Sequence, residues 1–335
     1  MGTYYAEITG GNYTLSEPAN ISHPETILKI HKEYVDAGAM LIRTNTFSAN
    51  PYTLYRSMKE TRKVLMAGID LANKAVKGTE CGVAYSIGPI PEPYDVEPIE
   101  ILDAYHKMID VGLDKGVKII LFETFSKLDI VEQLTAYVNE RNPKIQIMTN
   151  YSLNQHGYTK VGINREKIIE QNRGNGHISA YGFNCGVGVS HLLKLLRTMD
   201  FDPMTMVAVP NAGYPDQQLE RAVYQNNADF FADAMMQICE EGVRIIGGCC
   251  GTTPEHIQKI SQRLKTFTLE DVRRRTFIPN IENVKEPLEN KFRDKMEKGE
   301  FVIAVELDPP YKSNVDSLMS AAHLLQDIGV DIITI

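Results

Sequence analysis

The fold class can be predicted from VKIILFETFSKLDIVEQLTAYVNE, residues 117–140. Its first part, 117–125, is an almost continuous apolar run, which is typical of a strand covered on both faces of a sheet. Its second part, 127–140, spaces apolar residues three and four apart, which predicts a helix. A buried strand followed by a helix is the repeating unit of a parallel α/β fold.

The same unit recurs along the chain. Apolar runs that end in Gly, Asn or Pro clusters are AMLIRTNTF (39–47), CGVAYSIGPI (81–90), IQIMTNYSL (145–153), ISAYGFNCG (178–186), MVAVPNAGYP (206–215) and VRIIGGCCG (243–251). The other helical segments that we predict are 24–37, 98–116, 165–171, 190–199, 227–241 and 254–264. With 117–125, the strand runs number seven, whereas a closed (β/α)8 TIM barrel needs eight.

We therefore predict a TIM barrel whose first strand is missing. The spacing of the seven units leaves no room for another strand between them, so we expect the first strand of the natural protein to precede Met1. The alternative is that residues 3–15 supply an unusual first strand. A closed eight-stranded barrel within residues 1–265 would exclude the missing strand.

Composition narrows the function classes. The net charge of -8 argues against a nucleic-acid partner, which favours a basic face. No apolar run reaches the ~18 residues of a membrane span, and the first residues lack the charged and apolar regions of a secretory signal. Five cysteines in such a chain indicate reduced thiols rather than a disulfide framework. We expect a cytoplasmic protein.

The composition of the sequence changes after the last helical segment. Of the 31 residues from 270 to 300, 16 are charged, which is typical of a solvated linker. The run FVIAVELDPP (301–310), a helical segment and VDIITI then predict one further strand–helix–strand unit. We predict a barrel over 1–265, a charged linker over 266–299 and, over 300–335, the truncated start of a second α/β barrel.

Three cysteines end predicted strands. Cys185 ends one run, and Cys249 and Cys250 end another. Because the carboxyl ends of barrel strands converge on one face, the three thiols can meet in space. Three thiolates with an open fourth position are typical of a catalytic zinc site. The alternative for the adjacent cysteines is a redox disulfide between them, which would close a strained ring. For the other two cysteines, Cys81 and Cys239, we predict only a packing role as small buried residues.

A zinc ion with three thiolate ligands suits thiol chemistry. Its formal negative charge makes it a poor activator of water, but a substrate thiol bound beside the three loses its proton and keeps an electron-rich sulfur. Such a site predicts the transfer of a methyl group to a thiol.

At these residues the chain resembles the zinc-dependent homocysteine S-methyltransferases. The resemblance covers about residues 1–262 and depends on IIGGCCGTTPEHI (245–257), joined in order by TNTF (44–47), FETF (122–125), FNCG (183–186) and PNAG (210–213). It implies an α/β barrel with zinc on Cys185, Cys249 and Cys250. Homocysteine would lie beside the metal and Glu123 would hold its amino group, an interaction that charge-assisted hydrogen bonds make strong.

Other residues of the family pattern carry less information. Asn45 and Asn211 either line the substrate pocket or cap turns, which Asn does commonly. Only MGT is present of the family's usual opening DGAMGT, so Gly2 is the substrate-site residue that can be carried over, and the absent Asp puts activity in doubt. The methyl donor is methyltetrahydrofolate, S-methylmethionine or S-adenosylmethionine, and no protein acid or base is assigned.

The tail resembles a second family. FVIAVELDPP is similar to the first strand of methylenetetrahydrofolate reductases, whose catalytic glutamate falls on Glu306. The order of segments matches a bacterial bifunctional fusion of the two enzymes, in which the reductase part binds FAD. We expect FAD and reductase activity only in a full-length fusion, with no role for Glu306 in this chain.

The leading hypothesis is a zinc enzyme that converts homocysteine to methionine. The alternatives are a non-catalytic metal-binding protein, an inert truncated barrel and a vicinal-dithiol redox protein.

Overall fold

The computed structural model describes residues 1–10, 15–91, 96–213, 215–218, 221–224, 227–272, 295, 298–307 and 316–334. They fall into two compact units, residues 1–276 and 277–335, and each is described by itself. Among the helices of these residues, none combines the length and the apolar character that crossing a membrane requires.

The first unit is organised around seven parallel strands. The strands of this sheet are β1 Leu41–Arg43, β2 Gly82–Ile87, β3 Ile119–Phe125, β4 Gln146–Tyr151, β5 Ala180–Gly188, β6 Met206–Asn211 and β9 Ile245–Ile246. Between β6 and β9 the chain forms a separate antiparallel hairpin of β7 Pro215–Gln218 and β8 Arg221–Tyr224. The sheet order is β1-β2-β3-β4-β5-β6-β9, so each strand pairs with the next one in the sheet. All seven predicted strands are confirmed.

Helices connect the strands and cover the outside of the sheet. They are α1 Gly2–Thr9, α2 Ala19–Ser22, α3 Pro24–Asp36, α4 Pro51–Leu54, α5 Met58–Val76, α6 Pro98–Asp114, α7 Leu128–Arg141, α8 Arg165–Gly174, α9 Val189–Leu196, α10 Ala228–Glu240 and α11 Pro254–Leu264. The seven helical segments predicted from the sequence are confirmed as α3 and α6 to α11.

The sheet curves until its two edge strands approach each other. Arg43 at the end of β1 donates to the carbonyl of Gly248 just after β9, at 3.0 Å. Tyr34 on α3 donates to the carbonyl of Thr252 before α11, at 2.8 Å. The fold is therefore TIM-barrel-like. Within the described residues it has seven strands, and 2–9 form α1 rather than the unusual first strand considered above.

Two apolar layers hold this unit together. The larger one packs between the sheet and the helices and includes fully buried side chains such as Phe122, Ile69 and Met108. The smaller one fills the interior enclosed by the strands. Its side chains come from every strand of the sheet, as a filled barrel requires, and are Leu41, Ala84, Ile119, Leu121, Met148, Ala180, Val207, Val209 and Ile245.

The helix α5, the longest within the described residues, was not predicted from the sequence. The helix begins with a capping box, in which Ser57 accepts from the backbone of Glu60 and the Glu60 carboxylate accepts from the backbone of Ser57. Val64, Leu65 and Ile69 are fully buried at helical spacing. A Ser followed three residues later by Glu before an apolar stripe is a recognised helix start, so the signal was present in the sequence.

The second unit contains one parallel strand pair with a helix between its strands. β10 Ala304–Glu306 pairs with β11 Ile332–Thr334, and α12 Asp316–Asp327 connects them. Asp331 receives hydrogen bonds from Lys295 at 2.6 Å and from the backbone of Ile303 at 3.0 Å. The predicted strand–helix–strand unit is confirmed, and nothing in the described residues shows a second barrel.

The predicted domain boundaries at 265 and 299 stay predictions. Most of the predicted charged linker, 266–299, lies outside the described residues, apart from 266–272, 295 and 298–299. The division between the two units at residue 276 falls within that segment.

Candidate functional site

A layer of polar side chains lies on the apolar interior at the carboxyl ends of the strands. Side chains two apart on a strand share a face, so a residue two positions after an interior apolar residue also points inward. Leu41 and Leu121 are interior, which places Arg43 and Glu123 above them. The same alternation, two or four positions after an interior residue, adds residues from the other strands and, for Cys249, from the loop after β9. This polar layer consists of Arg43, Ser86, Glu123, Asn150, Asn184, Asn211 and Cys249.

Three thiols meet at this edge of the barrel. The sulfur atoms of Cys185, Cys249 and Cys250 all lie within 4.8 Å of one another, and the Cys185 and Cys250 sulfurs are 3.7 Å apart. Zn–S bonds of about 2.3 Å in a tetrahedral site place two sulfurs about 3.8 Å apart. The spacing therefore fits a zinc ion. Within the part of the chain that is described, no other cluster of potential metal ligands occurs.

The two adjacent cysteines are held by β6. The backbone N–H of Cys249 donates to the carbonyl of Pro210 at 2.8 Å, and that of Ala212 donates to the carbonyl of Cys250 at 2.9 Å. The backbone N–H of Cys250 donates to the side-chain oxygen of Asn211 at 3.1 Å. The Thr252 hydroxyl closes the turn onto the carbonyl of Cys249 at 2.7 Å. These bonds fix both thiols against the end of one strand.

Cys185 reaches the cluster through a bulge in β5. The pairing of β5 with β6 shifts between Asn184 and Gly188. Within that bulge Cys185 has φ +56° and Gly186 has φ +65°, in the left-handed region. A non-glycine residue there is uncommon and stores strain, and such residues cluster at functional sites. A side chain at Gly186 would lie 2.1 Å from the carbonyl of Leu153, so this position requires glycine.

Glu123 is buried beside the thiols and carries three polar contacts. Its carboxylate accepts from the guanidinium of Arg43, from the hydroxyl of Ser86 and, at 3.4 Å, from the amide of Asn184. Arg43 neutralises its charge, which a buried carboxylate needs. The Asn184 amide also lies 3.7 Å from the Cys249 sulfur, so the structure places Glu123 close to the cysteine cluster.

Asn184 connects the carboxylate, the thiols and a second bulge. Its amide nitrogen lies 3.7 Å from the Cys249 sulfur and 2.7 Å from the Thr124 hydroxyl, and its oxygen accepts from the backbone of Thr124 at 2.8 Å. Thr124 has φ +65° in a bulge of β3. Asn184 thus ties the irregular end of β3 to that of β5.

The three thiols differ in their pKa values. Hydrogen bonds from Cys185 and Cys250, together with the charge of Arg43, hold the pKa of Cys249 well below its ordinary value. The same contacts raise the pKa of Cys185, since its thiol donates to the other two sulfurs. For Cys250 the bond to Cys185 lowers the pKa, but the bond to Cys249, burial and the Cys249 charge outweigh it and raise the pKa to about 11. Of the three thiols, only Cys249 has a lowered pKa.

The remaining predicted residues lie at different distances from this cluster. Asn45 is buried, and its amide bonds to Ser16 and Asn20, a set of contacts typical of a structural role. Asn211 supports the backbone of Cys250. Gly2 begins α1 and is exposed, and Glu306 is exposed on β10 in the second unit.

Three residues that contact Glu123 were missed from the sequence. Arg43 and Ser86 stand inside apolar strand runs, where a charged or polar residue is a signal of a site or a pair. Asn184 is the neighbour of Cys185 in FNCG. An alternation test that places Glu123 and Cys249 inward would have placed these three side chains inward as well.

A family model described as homocysteine S-methyltransferase matches residues 2–264. The chain belongs to the homocysteine S-methyltransferase family. Its match covers the whole seven-stranded unit up to α11 and includes every residue of the polar layer. The second unit lies outside the match.

Two methionine synthases are among the known proteins that are similar to this chain. The chain is 28% identical over 264 residues to that of Mycobacterium leprae and 29% identical over 266 residues to that of Mycobacterium tuberculosis. Each match covers 73% of this chain and 22% of the relative, so the chain spans about a fifth of their length.

Solved structures support the fold. The metallated form of the homocysteine methyltransferase MmuM from Escherichia coli superposes with a TM-score of 0.62 at 22% identity, covering 78% of this chain and 94% of that chain. Its oxidized form gives a TM-score of 0.64 at 21% identity, covering 78% and 92%. The barrel-like architecture is thus shared with this enzyme.

Proposed function

We propose that this chain transfers a methyl group to the thiol of L-homocysteine and so produces L-methionine. The observation that carries the proposal is the meeting of Cys185, Cys249 and Cys250 beside the buried carboxylate of Glu123. Membership of the homocysteine S-methyltransferase family supports it.

We propose zinc as the metal, bound by the three thiolates. When bound, such an ion supplies a position where a substrate thiol loses its proton and stays nucleophilic at neutral pH. The spacing of the sulfur atoms supports the assignment, and so does the donor set, because thiolates are preferred by zinc among common divalent ions.

The chain's own residues bind and orient the substrate. The Glu123 carboxylate would accept hydrogen bonds from the substrate ammonium, since it is buried, is paired with Arg43 and lies close to the thiols. Ser86 and Asn184 fix the orientation of that carboxylate. Asn211 and Asn45 act at a distance from the substrate, Asn211 through the Cys250 backbone and Asn45 through the loop before α2.

The methyl donor is methyltetrahydrofolate, S-methylmethionine or S-adenosylmethionine. We further propose that residues 300–335 begin a methylenetetrahydrofolate reductase-like barrel, with FAD needed only in a full-length fusion. The β10–α12–β11 unit is compatible with such a start. A reducing compartment such as the cytoplasm would keep the three thiols reduced.

The test is a donor screen on the full chain loaded with zinc. Each donor is incubated with L-homocysteine, and methionine is measured by mass spectrometry. We expect methionine with at least one donor and none after replacement of Cys249 by Ala. Zinc-loaded protein that makes no methionine with any donor would contradict the proposal. A reversible disulfide with no bound metal would instead indicate a dithiol redox protein.

A further inference from the structure

Arg43 pairs with Glu123, but the proposed function gives it no contact with the substrate. It follows Leu41 on the inner face of β1, and 29% of its side chain is exposed. One guanidinium nitrogen pairs with Glu123, and another donates to the carbonyl of Gly248 at 3.0 Å. Arg43 thus lies between the proposed amine-binding carboxylate and the loop that carries two of the thiols.

An ion pair in this position is a poor stabilising device. Bringing two charges out of water consumes most of the attraction between them, so buried pairs are often replaceable by apolar residues. The pair is, however, complementary to a zwitterion. A ligand that carries both an ammonium and a carboxylate can exchange with it, its ammonium going to Glu123 and its carboxylate to Arg43, with the charges balanced throughout.

Asn150 adds an independent observation. It follows the interior residue Met148 on β4, so it points inward, and only 3% of it is exposed. Its side-chain oxygen has no hydrogen-bond partner within the described part of the chain. A buried acceptor without a donor is rare in folded proteins. β4 is the neighbour of β3, which carries Glu123, so a ligand ammonium in this region has a second acceptor available.

We propose that Arg43 binds the α-carboxylate of the amino-acid substrate and makes the site specific for zwitterionic thiols. The inference rests on the proposed function, because the substrate is homocysteine. The guanidinium suits the task because its planar fork can donate two parallel hydrogen bonds to one carboxylate. In the free protein the Arg43–Glu123 pair keeps both groups neutralised, and binding exchanges that pair for two ligand contacts.

Equilibrium binding to the zinc-loaded full chain tests the inference without any methyl donor. Calorimetric titrations compare L-homocysteine with its decarboxylated analogue, which keeps the amine and the thiol. We expect the wild type to bind homocysteine about 10- to 100-fold more tightly, the range of one charge-assisted hydrogen bond. In Arg43→Gln we expect homocysteine to lose that advantage while the analogue binds as tightly as before or more tightly, because Glu123 is freed.

If Arg43 only holds Glu123 in position, the two ligand affinities change in a different way. Both ligands would then weaken by the same factor in Arg43→Gln, which would overturn the inference. Arg62→Gln is the matched control, since Arg62 also pairs with a carboxylate, Asp114, but on the outer surface. Its two affinities should equal those of the wild type.

A double variant without either charge tests the inference even if the single variant does not fold. Arg43→Gln leaves a buried carboxylate without its partner, whereas Arg43→Gln with Glu123→Gln removes both charges together. We expect this variant to load zinc and to bind homocysteine no more tightly than propanethiol. A double variant that still prefers homocysteine would overturn the assignment.

The outcomes also separate this inference from the proposed function. A wild type that prefers homocysteine over the analogue yet makes no methionine would support Arg43 and contradict the function. A wild type that makes methionine but binds both ligands equally would overturn the role of Arg43 alone.

Discussion

Cys185 on β5 and the Cys249–Cys250 pair after β9 arrive at the same point by different backbone routes. The β9 side is regular, because its loop continues the hydrogen bonding of β6 through Pro210 and Ala212. The β5 side is irregular, because Cys185 and Gly186 are both left-handed within a bulge. A bulge re-aims side chains that a regular strand would send elsewhere.

The irregular side extends to the neighbouring region of β3. Thr124, a β-branched residue, is also left-handed there, and Asn184 bonds to its backbone and to its side chain. Strain of this kind persists only where the surroundings over-determine the conformation, and each such residue costs about 1–3 kcal/mol. The β3–β5 side therefore stores strain to present Glu123 and Cys185, whereas the β9 side is relaxed.

Removal of one thiol from either side should have the largest effect. Cys185→Ala and Cys250→Ala each leave two sulfurs, so we expect zinc binding near one ion per chain to be lost together with methyl transfer. Zinc content after gel filtration measures this. Cys81→Ala is the control, because Cys81 is outside the cluster. Retention of zinc in both cluster variants would show that the two sides do not share one ion.

The pH dependence of zinc binding should show how many of the three thiols are protonated in the metal-free protein. Cys185 and Cys250 have raised pKa values, so both are protonated at neutral pH and must lose a proton to bind metal. Cys249 has a pKa well below its ordinary value, so we expect it to be ionised at neutral pH. Affinity should therefore fall by roughly 100-fold per pH unit as the pH decreases below 8, one factor of ten for each proton.

Competition with a chelator of known pH dependence measures that slope. A fall of roughly 1,000-fold per unit would mean that all three thiols are protonated, and a flat profile would mean that none is. Either result would contradict the division of charge between the two sides.

Gly186→Ala should show how little freedom the β5 bulge has. The new methyl group would be left-handed and would overlap the carbonyl of Leu153, so we expect a loss of about 2–5 kcal/mol in the free energy of unfolding. Gly162→Ala is the matched control, since Gly162 has φ +83° with open space around it and should lose only about 1–2 kcal/mol. Urea unfolding compares the two variants. Equal losses would show that the bulge is not tightly packed.

Asn184→Ala and Asn211→Ala compare one supporting amide from each side. Asn184 links Glu123, Thr124 and Cys249, so its loss should weaken zinc binding by about 10- to 100-fold. Asn211 makes one of several bonds to its loop, so we expect about 1 kcal/mol of lost stability and a less than tenfold change in zinc affinity. The reverse order would contradict the distinction between a strained and a relaxed side.

The fold was largely predictable because apolar strand runs and helical spacing are local signals. Four helices were not predicted: α5 has a local signal that was overlooked, α2 and α4 have only four residues each, and α1 occupies 2–9. The convergence of Cys185 with Cys249 and Cys250 followed from the topology of parallel barrels. The left-handed conformations of Thr124 and Cys185 could not be predicted, because neither residue type favours them and only the surrounding bonds hold them.

Roles that depend on partners were also beyond the sequence. Whether Asn45 faces a pocket or a loop depends on Ser16 and Asn20, which lie at a distance along the chain. Arg43 becomes informative only when Glu123 is seen beside it, 80 residues away.

The most direct test of the account is X-ray absorption at the zinc edge of the loaded full chain. It counts the sulfur neighbours of the metal with and without L-homocysteine. We expect three sulfur neighbours from Cys185, Cys249 and Cys250, and a fourth when homocysteine is added. A sulfur count that does not change on addition of homocysteine would contradict it.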